Sequence, residues 1–200
     1  MKKVFTLITL ALISVVSFAA DDQDPFIPEG VEKSEVITLT ARLHTTMSLD
    51  MDNEGIVFDF VTLDEYRNGL GAYEGNYASP GIIKSTANWD LSYRALANFT
   101  HTDGSTTMPL DNVGLTAKFT GKNKIKNYSD DPLALSQKRT KILGHNGLDS
   151  NAGDETDNAF TIFWEMGTMK GDMNEESIFK QDLKKGEYNT VVEFIASEVL

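Results

Sequence analysis

The side chains able to do chemistry are few in kind and scattered along the chain. Histidine occurs three times, at His44, His101 and His145, and no two stand in the H-x-H or H-E-x-x-H spacing that sets two imidazoles on one metal ion. With no cysteine and no G-x-S-x-G elbow, a nucleophile with a neighbouring base has no candidate. Gly69-Leu70-Gly71 opens like a dinucleotide-binding loop, but the third glycine falls at Gly75, one place late, and no strand-to-helix context frames it. It reads as a surface loop. Paired carboxylates would suit glycoside hydrolysis, yet 30 Asp and Glu residues make close pairs inevitable by chance. The run Asp50-Met51-Asp52-Asn53-Glu54-Gly55 matches the start of an EF-hand loop, but Val61 stands where the bidentate Glu belongs and flanking helices are missing. Residues 149–158 are rich in oxygen ligands without matching a known loop. A hairpin turn and a solvated loop account for these two segments, with bound calcium as the competing reading. Tyr66, Tyr73 and Tyr77 share one loop, where local packing competes with stacking on a sugar. The expectation is a protein that is not an enzyme and uses no cofactor or metal.

The elements that would carry these residues are strands. Counting by twos from Ile37 gives Ile37, Leu39, Ala41, Leu43, Thr45, Met47, Leu49 and Met51, and the residues between them are all polar. Period-two alternation marks a strand with one buried face. Over residues 37–51 it would span roughly 50 Å at ~3.3 Å per residue, too long for one edge of a compact sheet. Either the strand bends between two sheets, or part of it pairs elsewhere.

Further strands are predicted at residues 56–63, 89–95, 113–120, 159–166 and 188–196. Trp89, Leu91, Tyr93 and Ala95 share one face, as do Phe160, Ile162, Trp164 and Met166. Residues 132–143 fit either a short helix after Asp131 or a strand from Lys138. Short strands divided by turn signals point to an all-β, antiparallel, immunoglobulin-like β-sandwich, with Trp89 and Trp164 facing each other across its core.

The beginning of the chain has a different composition. Met1-Lys2-Lys3 is a positive start, residues 4–16 are apolar apart from Thr6, Thr9 and Ser14, and Ser17-Phe18-Ala19 offers a small-residue cleavage site. Residues 1–19 therefore read as a bacterial secretory signal, too short for the ~20 apolar residues that span a bilayer. Residues 20–33 are acidic, broken by Pro25, Pro28 and Gly30, and read as a flexible leader; residues 34–200 form the single sandwich domain. Losing Lys2 and Lys3 takes the formal charge from −12 to −14, which excludes nucleic acid and anionic membranes as partners. A secreted chain with no cysteine has to hold together by packing and strand pairing alone.

Val31-Glu32-Lys33 leading into Ile37-Thr38-Leu39-Thr40-Ala41, then Trp89-Asp90-Leu91-Ser92 with Asp103-Gly104-Ser105, the strand at 113–120, and Leu183-Lys184-Lys185-Gly186-Glu187-Tyr188 before the last strand give a layout that resembles chaperone–usher fimbrial subunits of the α or common-pilus type. That resemblance implies an incomplete immunoglobulin-like sandwich completed by a neighbour's N-terminal extension. It makes Ile37, Leu39, Ala41 and Leu43 the donor-strand residues, with other filament subunits and a periplasmic chaperone as partners at the bacterial cell surface. The alternative is a bent strand within one chain. The leader before Val31 and Val199 in place of a penultimate aromatic depart from the pattern. A second resemblance, on Trp89-Asp90-Leu91 and the altered Trp164-Glu165-Met166, is to WxL-type cell-surface domains. It implies a monomeric module binding cell wall or glycan, with Trp89 as the surface aromatic.

Overall fold

The computed structural model describes residues 37–52, 55–71 and 77–199. The expected signal, the leader, residues 34–36 of the alternating run, Asn53, Glu54, Tyr73 and Gly75 lie outside the described residues. The chain divides into two units, Met1–Ala41 and Arg42–Leu200. In the first, residues 37–41 carry no regular secondary structure and are exposed.

The second unit holds the strands. They are β1 (Met47–Met51), β2 (Leu70–Gly71), β3 (Ala78–Ser85), β4 (Trp89–Ala95), β5 (Phe99–His101), β6 (Thr107–Met108), β7 (Val113–Phe119), β8 (Ile125–Asn127), β9 (Leu133–Ala134), β10 (Thr140–His145), β11 (Ala159–Met166), β12 (Tyr188–Asn189) and β13 (Val192–Glu198), with, among the described residues, one α-helix, α1 (Leu63–Asn68), and a short 3-10 helix at Leu110–Asn112. One sheet runs β1-β3-β11-β7-β9, with β2 also paired to β11; the second runs β13-β4-β10-β8; a third, small sheet is β12-β5-β6. Every pairing is antiparallel, and the fold is an all-β sandwich.

Alternation decides which faces meet. Phe160, Ile162, Trp164 and Met166 of β11 and Val113, Leu115 and Ala117 of β7 are buried from the first sheet. Trp89, Leu91, Tyr93 and Ala95 of β4 and Ile142 of β10 are buried from the second. Burying each large apolar side chain stabilises by ~1.5–3 kcal/mol, so these two rows supply most of the cohesion a cysteine-free chain needs. The Tyr93 hydroxyl donates to the carbonyls of Leu133 and Ala134 at 3.1 and 3.2 Å, and burial pushes its pKa up.

Three segments differ from their sequence-based expectation. The long alternating run is a strand only over Met47–Met51, because its partner β3 ends at Ser85 and the chain then crosses to β4 in the other sheet. Residues 56–63 do not form a strand: Thr62 accepts the Glu65 N–H on its hydroxyl, Glu65 Oε2 accepts the Thr62 N–H, and this capping box starts α1 at Leu63. The last run breaks at residues 190–191, so β12 joins the small sheet and β13 the second sheet. Residues 132–143 contain β9 and the start of β10, with no helix.

Candidate functional site: an apolar groove between two unpaired strand edges

β1 ends the first sheet and β13 ends the second. The Thr86 N–H donates to the Thr46 carbonyl and the Asp52 N–H to the Pro80 carbonyl, both at 3.0 Å, and these bonds flank the pairs Met47↔Ser85 and Met51↔Gly81. Those pairs are therefore the non-hydrogen-bonded members of the antiparallel ladder. The N–H and C=O groups of Met47, Leu49 and Met51 point away from β3. On β13 the Leu96 N–H donates to the Val191 carbonyl and the Val199 N–H to the Asn88 carbonyl, both at 2.9 Å, flanking Val192↔Ala95 and Glu198↔Trp89. By the same rule the backbone groups of Val192, Phe194 and Ala196 point away from β4. Each edge thus presents half-buried apolar side chains inward and backbone groups outward that have no partner among the described residues.

The two edges approach where the Thr45 hydroxyl donates to Glu198 Oε1 at 3.2 Å, and the space between them opens at the other end. There Leu49 and Met51 on one side and Val192 and Phe194 on the other bound a cavity of about 850 Å³. Trp164, Met166, Val113, Leu135 and Met108 line it, and Lys184, Lys185, Glu187, Asn189 and Thr190 form part of its polar wall. Trp164 Nε1 donates to Ser79 Oγ at 3.0 Å, which fixes the indole. Its ring meets Phe194 edge to face, with centroids 5.8 Å apart.

The polar wall is held from behind by His101. Its Nδ1 accepts the Asp103 N–H at 3.0 Å, which assigns the proton to Nε2, and Nε2–H then donates to the Lys185 carbonyl at 3.1 Å. Gly186, at φ 138°, leaves the room that the buried imidazole fills. Asp103 accepts from Lys184 Nζ at 2.8 Å, Thr106 Oγ1 at 2.6 Å and the Ser105 and Thr106 N–H groups, and the Lys184 ammonium above all holds its carboxyl well below the usual range.

Residues 55–61 cross the open end of the groove. Ile56, Phe58 and Phe60 are half-buried and line the cavity, while Val57 and Val61 are 76% and 74% exposed. This is strand-like alternation, yet among the described residues no backbone group of residues 55–60 makes a hydrogen bond. Side chains alone keep the segment there: Phe58 stacks on Tyr77 at 4.8 Å and 11°, and Phe60 lies 5.3 Å from Tyr66.

The sequence-marked residues fall as follows. Ile37, Leu39 and Leu43 are 84%, 94% and 95% exposed, Ala41 is exposed, and none is in a strand. Trp89 is fully buried, a correction to its reading as a surface aromatic. Its N–H and C=O bond both ends of the Asn151 amide at 3.0 and 2.9 Å, and its Nε1 donates to the Asn151 carbonyl at 2.7 Å. Tyr66 and Tyr77 pack against Phe60 and Phe58, and Lys185 Nζ sits 4.0 Å above the Tyr66 ring. Gly69 and Gly71 have positive φ and lie where β2 presses on the backbone of residues 164–168, which is what that glycine pair does here. His44 is exposed, His101 buried and His145 half-buried, and among the described residues no three His, Asp or Glu side chains gather to hold a metal. Asp154 accepts from the Thr156 N–H and hydroxyl at 2.9 Å, and the buried Asn151 and Asn158 side chains bond Trp89 and Asn123, so the oxygen-rich loop spends much of its polarity on its own turn and on neighbouring segments.

Sequence reasoning missed the groove residues Phe58, Phe60 and Phe194 as a set. The available signal was a surplus: the runs at 37–51 and 56–61 alternate over more length than the sheets pair. Among the described residues no helix is long and apolar enough to cross a membrane. No protein-family model matches the chain, and none of the curated proteins compared with it matches.

Proposed function

We propose that the protein is an exported structural subunit of a bacterial surface filament, assembled by β-strand exchange in which residues 37–43 of one copy enter the groove of the next. One observation carries this reading: two strand edges whose outward backbone groups have no partner among the described residues flank a large apolar cavity. A strand laid between them, once the edges part at their Thr45–Glu198 contact, would bond to Met47, Leu49 and Met51 on one side and to Val192, Phe194 and Ala196 on the other, while burying its alternate side chains.

The proposed donor fits by length and pattern. Residues 37–43 number seven, as does β13, and at ~3.3 Å per residue seven residues cover about 23 Å. Ile37, Leu39, Ala41 and Leu43 lie on one side of an extended segment, and in the monomer all four are exposed. Immunoglobulin-like topology and fimbrial membership belong to this proposal, as do self-association, other filament subunits and a periplasmic chaperone covering the groove during export. The signal-like start at residues 1–19 supports export. The alternative, a monomeric wall- or glycan-binding module, rested on Trp89, whose ring is inside the core.

Size exclusion with mass measurement tests the proposal. The chain with residues 20–43 intact is expected to associate, and its deletion to leave a folded monomer that binds a peptide of residues 34–43. A chain that is monomeric with or without residues 20–43, and whose shortened form ignores the peptide, contradicts it.

A further inference from the structure

We propose that residues 55–61 are a strap that covers the groove of the unassembled subunit and has to move aside before a donor strand enters. This rests on the strand-exchange reading and adds its control. The strap lines the cavity with Ile56, Phe58 and Phe60 at the same every-second-residue spacing as Ile37, Leu39, Ala41 and Leu43. It therefore covers apolar surface that would otherwise meet water. It satisfies none of the free backbone groups on β1 and β13, because among the described residues its own backbone from 55 to 60 is unbonded.

That difference sets the direction of exchange. A donor strand offers both the apolar side chains and a double row of backbone hydrogen bonds, whereas the strap offers only the side chains. Buried hydrogen-bonding groups favour whichever occupant pairs them. The strap also has two defined anchors. Upstream, the Asp52 N–H is fixed on the Pro80 carbonyl at 3.0 Å. Downstream, Glu65 Oε2 takes the Val61 and Thr62 N–H groups at 2.7 and 2.6 Å. Between those points the contacts are ring against ring, Phe58 on Tyr77 and Phe60 on Tyr66, which part without breaking a ladder.

Because the chain contains no cysteine, a strap lock can be introduced cleanly. The full chain carrying Phe58→Cys and Tyr77→Cys is compared oxidised and reduced, with a fluorescent peptide of residues 34–45 as the probe of the groove. A second form, Phe58→Ala with Phe60→Ala, loosens the strap without a crosslink, and circular dichroism checks that each form is folded. The oxidised form is expected to take up peptide at least about tenfold more slowly than the reduced form, and the alanine form about tenfold faster than the parent chain, since uptake scales with the fraction of open groove. Equal uptake by locked and reduced forms overturns the strap, and so does an alanine form no faster than the parent. Should the disulfide fail to close, the alanine form decides alone. A peptide that binds no form overturns the strand-exchange reading itself, a result distinct from equal binding by all.

Discussion

Trp164 of the first sheet meets Phe194 of the second edge to face, with ring centroids 5.8 Å apart and planes at 90°. The contact joins the two sheets within the groove that the strands β1 and β13 leave open between them. Trp164 is held by its bond to Ser79 Oγ, while Phe194 sits on an edge strand with no second neighbour among the described residues. The wall of the groove is thus rigid on one side and more adaptable on the other.

Phe194→Ala removes that contact. Truncating a fully buried Phe costs ~3–5 kcal/mol, and for this half-buried ring a loss of about 2 kcal/mol is expected. Urea unfolding followed by circular dichroism measures it. A loss below about 0.5 kcal/mol, the range of ordinary surface substitutions, would show that the ring does not join the sheets.

Asn151→Ala tests the seat of Trp89. The amide bonds both the N–H and the C=O of Trp89, and its removal leaves two buried backbone groups unpaired. At ~1–3 kcal/mol for each unsatisfied group the expected loss is about 2–6 kcal/mol. Trp89→Phe, which gives up the Nε1 bond to the Asn151 carbonyl, should cost about 1–2 kcal/mol. In either variant a change in glycan binding that exceeds the loss of folded protein would return Trp89 to the surface-site reading.

Acid should loosen the downstream anchor of the strap. Backbone N–H groups of Thr62 and then Val61 bond the Glu65 carboxylate and hold its pKa below the ordinary 4.5. A lowered folded pKa means that the stabilisation is present above 4.5 and is lost as pH falls through the folded value. Amide exchange at residues 61–65, corrected for intrinsic rates, is expected to accelerate below about pH 4.5 in the parent chain and to stay level in Glu65→Gln. An identical acid response in both would remove Glu65 from the anchor.

Salt should promote assembly. The chain carries a formal charge of −12, so copies repel each other, and at physiological ionic strength that repulsion is screened beyond ~8 Å. Light scattering should show the association rate rising between low and physiological salt. A rate that falls instead would point to association through charge pairs, in place of backbone pairing and apolar burial.

The core strands were legible because alternation and burial coincide in them: β4 and β11 begin and end where the pattern at Trp89–Ala95 and Ala159–Met166 does. The sequence alternates equally well at 37–46 and 56–61, but alternation records only which side of an extended segment is apolar. Pairing depends on a partner with free backbone groups at the right place, and β3 ends before it can pair residues 37–45. The groove was hidden for the same reason, since Leu49, Phe58, Trp164 and Phe194 are far apart in the chain and meet only through the order of strands in two sheets. Trp89 shows the reverse difficulty: three residues of apparent motif say nothing about which face of a sheet the indole occupies.

Hydrogen exchange on the chain lacking residues 20–43, with and without a peptide of residues 34–43, tests strand exchange most directly. Strand insertion requires slowed exchange at the amides of Met47, Leu49 and Met51, or of Val192, Phe194 and Ala196, or of both sets. The alternate residues Ser48, Asp50, Glu193 and Ile195 already face their sheet partners and should change little. Peptide binding that leaves all six edge amides unprotected, or no binding at all, would contradict it.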